Sequence, residues 1–181
     1  MRVELFNKIN NQTHSSCPQL NTFNRKTSVF NISMPEINPY FMTRALELGK
    51  RAFKKTGDNP WVGCVIVKDD KILGEGHTQP GGIPHAEAEA IRIADSKGHS
   101  LSGSTLYCTV EPCSFHGRGP SCANTIIEKK ILHVVTAIRD PHPKVNGEGI
   151  RLLKEAGITI TEGIEEDAAR LSLAEWLKGY E

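Results

Sequence analysis

Long apolar runs are missing from this chain. None approaches the roughly 20 residues that a helix needs to cross a bilayer, so no membrane partner is expected. An excess of one charge is missing too. Lys and Arg number 22 against 21 Asp and Glu, a formal net charge of +1. Such a balance gives no broad attraction to phosphate backbones or acidic lipid, which argues against a nucleic-acid partner. No internal repeat or low-complexity core interrupts the sequence. No basic start followed by an apolar stretch opens it, so a cytoplasmic rather than secreted protein is expected. A paired disulfide framework is lacking as well. The five cysteines, Cys17, Cys64, Cys108, Cys113 and Cys122, are odd in number, and in a reducing compartment clustered cysteines serve as ligands or nucleophiles.

What is present is ordinary for one soluble domain. The 181 residues are 38 % hydrophobic and 24 % charged, enough chain for a single well-packed core. Residues 1–33, rich in Asn, Ser and Thr, lack sustained apolar periodicity and read as a disordered or upstream extension. The folded part is expected over 34–181, opening on a helix in which Phe41, Ala45, Leu46, Leu48, Ala52 and Phe53 recur near helical spacing. "VGCVIVKDDKILGEG" reads as two strands joined by a turn at Asp69-Asp70. "HAEAEAIRIADSKG" reads as a helix closed by Gly98. "STLYCTV", "ILHVVTAI" and "ITITEG" read as strands, interleaved with helices in "CANTIIEKK", "GEGIRLLKEAG" and "EEDAARLSLAEWLKGY". This alternation predicts an α/β fold with a mostly parallel sheet covered by helices on both faces.

Two stretches carry chemistry. "EPCSFHGRGPSC" holds Cys113 and Cys122, and "PHAEAEA" holds His85 and Glu87 at an expected helix start. A histidine, two cysteines and a nearby carboxylate form the set of the zinc deaminases, whose signature is H-x-E followed by P-C-x-x-C. Three protein ligands, here His85, Cys113 and Cys122, leave one tetrahedral position for a water, whose pKa zinc lowers to about 7. Glu87 would move that water's proton to a departing amine. Residues two apart do not share a helix face, so His85 and Glu87 can meet at one site only if the helix start permits it. A structural zinc site would recruit a fourth Cys or His. Cys108 and His116 are candidates, although Cys108 lies within an apolar strand.

These residues carry a resemblance to the pyrimidine deaminases of riboflavin biosynthesis, within the cytidine-deaminase-like superfamily. Four blocks resemble that family in order: "NPWVGCVIVKDDKILGEG" at 59–76, "PHAEAEAI" at 84–91, "STLYCTVEPCSFHGRGPSC" at 104–122 and "DPHPKVNGEGI" at 140–150. The likeness covers about residues 38–170, and the eight-residue gap between the cysteines is the family's own. It implies a three-layer α/β/α fold with a central mixed sheet. It also implies zinc-dependent hydrolytic deamination of an aminopyrimidine ribotide, 2,5-diamino-6-ribosylamino-4-pyrimidinone 5′-phosphate, to the 2,4-dione. Carried over, His85, Cys113 and Cys122 are the zinc ligands and Glu87 the proton shuttle. Asn59 would hold the ring or ribose, and Asp140 would help set the pocket wall. Relatives are often dimers or larger, so the resemblance implies self-association, with a homodimer as one form. Many also carry a reductase domain, so reduction of the product would fall here to a separate polypeptide.

The chain departs from the family pattern at several pocket positions. Phe115 stands where the family has a histidine, Gly119 where it has a threonine, and His142 where it has an asparagine. Thr78 replaces another histidine, with His77 beside it as a possible substitute. Phe115 would stack on a heterocycle or fill core; Arg118 would contact a phosphate or stay solvated. Polar pocket groups set selectivity by leaving wrong substrates unpaired. The same chemistry on another amino-heterocycle or nucleotide is therefore the alternative expectation.

Overall fold

The computed structural model describes residues 36–181; the expectation for residues 1–33 lies outside them. The first helix, α1 (Pro39–Lys50), starts where Asn38 caps it. The Asn38 side chain accepts the Tyr40 N–H at 3.0 Å, and Pro39 occupies the first turn, where no N–H is needed. Phe41, Met42, Ala45, Leu46 and Leu48 form its buried face. The helix is shorter than its periodicity predicts. It stops at Lys50, and Phe53 sits in the following turn, 43 % exposed and edge-on to Trp61.

Strands β1 (Gly63–Lys68) and β2 (Lys71–His77) form the expected hairpin. Asp69 and Asp70 both adopt positive φ, 50° and 57°. That is the pattern of a two-residue turn whose twist matches the strands. Helix α2 (Ala86–Ser96) ends as Gly98 predicts: Gly98 donates to the Asp95 carbonyl at 2.9 Å and His99 to that of Ala94 at 3.1 Å, with Gly98 at φ 73°. Then follow β3 (Thr105–Val110), α3 (Cys122–Glu128), β4 (His133–Ile138), α4 (Glu148–Glu155), β5 (Thr159–Thr161), α5 (Glu166–Ser172) and α6 (Ala174–Leu177). A short 3-10 turn at Lys178–Tyr180 closes the chain.

The sheet order is β2-β1-β3-β4-β5. Strand β1 pairs antiparallel with both β2 and β3, while β3-β4 and β4-β5 pair in parallel. Four of the five strands therefore share a direction and β1 alone runs against them, because its hairpin returns the chain before α2 carries it across to β3. Every residue of β3 and β4 is buried, as expected of strands covered on both faces. Helices α1 and α5 pack on one face; α2, α3 and α4 pack on the other. The three-layer α/β/α arrangement is the one expected. Contact on the α2 side is close: a Cβ on Gly76 would run into the Ala86 carbonyl and the Ala90 nitrogen. The start of α2 is thereby held against the sheet.

The shared strand direction places the carboxyl ends of β2, β3 and β4 at one edge, with the start of β1 beside them. In open α/β sheets that edge is where ligands bind.

Candidate active site

The Pro112-Cys113 turn leaves the end of β3, and α3 begins at Cys122. Ser121 caps α3 and ties the turn to it. Its Oγ accepts the Asn124 N–H at 3.3 Å and donates to the Cys113 carbonyl at 3.0 Å. The Ala123 N–H reaches the same carbonyl at 3.1 Å, and the Cys122 N–H donates to Cys113 Sγ at 3.3 Å. The eight residues between the cysteines thus leave and return at a closed base.

His85 comes in from α2. It is the N-cap residue, with extended φ/ψ of −68° and 163°, and its ring makes no capping bond. The ring turns to the thiols instead: Nδ1 lies 3.6 Å from Cys113 Sγ and 3.5 Å from Cys122 Sγ. Glu87 follows inside the first turn. The break between extended His85 and helical Glu87 lets two residues that would diverge on a regular helix serve one site.

The donor set fits zinc. Zn–S of about 2.3 Å and Zn–N of about 2.05 Å at tetrahedral angles require a sulfur–nitrogen edge of about 3.6 Å, which the two observed separations match. All three ligand atoms lie within 4.8 Å of one another. Among the described residues no fourth His, Cys, Asp or Glu joins this group. Cys108 is fully buried in β3, register-paired with Cys64.

The electrostatics suit a dication. The Cys122 thiol, the His85 ring and the Cys122 N–H all hydrogen-bond Cys113 and, against the cost of its burial, hold its thiol down to about 4. The second proton is retained on Cys122 by that thiolate beside it and by burial. A divalent cation would displace that proton and offset the charges of both thiolates. The Cys113 contact raises His85. Glu87, 3 % exposed, is pushed up to about 7, chiefly by burial of its carboxyl.

A cavity of about 260 Å³ opens beside these groups. Of the residues singled out in the sequence, Asn59, Thr78, His85, Glu87, Cys113, Phe115, Asp140 and His142 line it. Arg118 does not. It lines an adjoining cavity of about 450 Å³ with His85, Phe115 and Cys122, and its Nη2 donates to the Gly81 carbonyl at 2.9 Å. Several lining groups are partly engaged by backbone. Thr78 Oγ1 accepts the Val62 N–H at 3.1 Å, Asn59 Nδ2 donates to the Gly82 carbonyl at 3.1 Å, and Asp140 Oδ1 accepts the His142 N–H at 2.8 Å. Burial raises the Asp140 carboxyl above the usual aspartate range. His77 is not a substitute for Thr78: it lines a separate groove with Arg51 and Glu89.

Glu111 is a residue that sequence reasoning missed. It is buried, lines the cavity, and accepts the Gly147 N–H at 2.8 Å, the Ile150 N–H at 3.1 Å and the Asp140 N–H at 3.4 Å. One carboxylate thereby joins the cysteine turn, the 140–147 loop and the start of α4. Gly149 seals the joint, since a Cβ there would collide with the Pro112 carbonyl. The available signal was a carboxylate abutting Pro-Cys at a strand end. Glu111→Gln sets an NH₂ against a backbone N–H, and we expect it to cost about 1–3 kcal/mol. Thermal denaturation reads this as a clear fall in Tm, and an unchanged Tm removes Glu111 from the role.

The fold and this site define a class. The family model of the cytidine and deoxycytidylate deaminase zinc-binding region matches residues 35–138, and the chain belongs to that family of zinc-dependent deaminases. Within it, the similarity runs to riboflavin-pathway proteins. Riboflavin biosynthesis protein RibD of Escherichia coli is 47 % identical over 125 residues, 69 % of this chain and 33 % of that protein. Diaminohydroxyphosphoribosylamino-pyrimidine deaminase of Buchnera aphidicola is 42 % identical, over 69 % of this chain and 83 % of that protein. Among solved structures, a diaminohydroxyphosphoribosylaminopyrimidine deaminase/5-amino-6-(5-phosphoribosylamino)uracil reductase from Thermotoga maritima aligns with a TM-score of 0.75 at 41 % identity. The alignment covers 77 % of this chain and 40 % of that one. The chain spans about a third of the length of the curated RibD relatives it matches.

Proposed function

We propose that residues 34–181 deaminate 2,5-diamino-6-ribosylamino-4-pyrimidinone 5′-phosphate hydrolytically, giving the 2,4-dione and ammonia. The observation that carries this is the convergence of His85 Nδ1, Cys113 Sγ and Cys122 Sγ within 4.8 Å, with the Glu87 carboxyl lining the same cavity. The likeness to the Buchnera deaminase over 83 % of its length supports the substrate.

His85, Cys113 and Cys122 would hold the zinc. When bound, zinc lowers the pKa of a coordinated water to about 7 and so supplies a nucleophile at neutral pH. Glu87 would take one proton from the attacking water on a carboxylate oxygen and pass it to the adjacent ring nitrogen, then carry the second proton to the exocyclic nitrogen so that it leaves as ammonia. The carbon–nitrogen bond breaks, ammonia leaves, and the ring carbon keeps the oxygen as a carbonyl. Burial around Glu87 keeps bulk water from competing for that proton. Asn59, Thr78 and Asp140 shape the ring end of the cavity, Phe115 and His142 its side. Arg118 would take the phosphate, a role supported by its place in the adjoining cavity, where its Nη2 donates to the Gly81 carbonyl.

Among the described residues no helix is long and apolar enough to cross a membrane; we assign the enzyme to the cytoplasm, a reading supported by its likeness to bacterial RibD proteins. The Thermotoga protein joins deaminase and reductase by name. We assign reduction of the product to a separate reductase polypeptide, and the working assembly to a homodimer.

The test is incubation of the zinc-loaded chain with the aminopyrimidine ribotide, followed by mass spectrometry for replacement of NH by O and by an ammonia assay. Ammonia from the ribotide, with little from deoxycytidylate, is expected. Turnover of deoxycytidylate with none of the ribotide would overturn the assigned substrate and favour another amino-heterocycle or nucleotide.

A further inference from the structure

Phe115 and His142, two positions at which the chain departs from the pattern it resembles, are neighbours in space. Their ring centroids lie 6.2 Å apart at an interplanar angle of 30°. Tyr180, from the closing turn of the chain, stands edge-on to His142 at 6.3 Å, and Trp176 meets Tyr180 at 5.1 Å. All four rings line the cavity that holds Glu87. Phe115 and His142 are ring neighbours, and Tyr180 and Trp176 extend that pair into a wall.

The wall is held from behind. His142 Nδ1 accepts the Lys144 N–H at 3.1 Å. The segment that presents Trp176 and Tyr180 is anchored by Trp61, whose Nε1 donates to the Ser172 carbonyl at 3.0 Å, and by the Lys54–Glu175 ion pair at 3.2 Å. Toward the mouth, Phe115 and Tyr180 are each 39 % exposed. Large aromatic rings left this open beside a buried carboxyl offer π-faces to a flat ligand.

We propose that Phe115, His142 and Tyr180 are specificity-determining residues that receive the substrate's heterocycle by stacking, in place of hydrogen-bond selection at those positions. This rests on the proposed function and adds to it the chemistry by which the ring is recognised. The selected class is a planar aminopyrimidine carrying a ribose phosphate. Stacking selects a flat ring of this size and leaves discrimination among ring substituents to the other groups that line the cavity.

The test compares wild type, Phe115→Ala, Tyr180→Ala and Tyr180→Phe in steady-state turnover of the diaminopyrimidinone ribotide. Equilibrium binding of the same compound is followed in parallel by calorimetry. Both alanine variants should raise KM and Kd about tenfold to a hundredfold with kcat and zinc content little changed, and Tyr180→Phe should stay near wild type. Alanine variants with unchanged KM and Kd overturn the wall. A Tyr180→Phe as impaired as Tyr180→Ala overturns stacking by Tyr180 in favour of its hydroxyl. Wild type that binds without turnover sinks the reaction alone, since the Kd ratios still test the wall. Wild type that neither binds nor reacts sinks both.

Discussion

Glu87→Gln is expected to stay folded and zinc-loaded while kcat for ribotide deamination falls roughly 10²- to 10⁴-fold, the range for losing a positioned acid–base group. The substitution keeps volume and shape. It removes only the ability to take up a proton and hand it on. Metal retention is expected because the three ligand atoms come from His85, Cys113 and Cys122. Stability should hold or rise, since the carboxyl is buried and its charged form is disfavoured there. Stopped-time assays for kcat, zinc content by mass spectrometry and Tm by calorimetry read the three effects separately. A variant that turns over normally, or that has lost its zinc, removes Glu87 from the proton-shuttle role.

The second large effect is on the metal. Chelation of the wild type should abolish turnover and lower Tm, and zinc should restore both. A ligand that binds only the folded chain adds about 4 kcal/mol at a thousand times its Kd. Cys122→Ala should uncouple these responses. Its Tm should no longer rise with added zinc, and its activity should stay below detection at any zinc concentration. The reason is geometric: Cys122 supplies a sulfur 3.5 Å from His85 Nδ1, and its N–H steadies the other sulfur. Full activity in the chelated wild type would falsify the zinc assignment.

Much of the fold was readable because local signals agreed with the tertiary outcome. The Asp-Asp turn, the glycine closing α2 and the buried runs of β3 and β4 each depend on neighbours a few residues away. The direction of β1 against the other four strands needed only the hairpin and the crossover that follows it. The end of α1 was not readable. Ala52 is buried and Phe53 packs on Trp61, so apolar periodicity continues after the helical backbone has stopped. At the site, the spacing singled out His85, Glu87, Cys113 and Cys122 because each ligand type has a chemical signature. Glu111 has none: its work is to accept three backbone N–H groups from a loop and helix 29 to 39 positions away. Tyr180 and Trp176 reach the cavity from a segment past the recognisable motifs. Thr78, singled out only through the resemblance, does line the cavity, and its Oγ1 also accepts the Val62 N–H.

The closed base of the 113–122 turn has a consequence for redesign. Because Cys113 and Cys122 are clasped through Ser121 and Ala123, the excursion carrying Phe115 and Arg118 can lengthen, shorten or change composition with little transmitted to the ion. A graft of foreign residues 114–120 is a practical route to redirecting such an enzyme while its chemistry stays put.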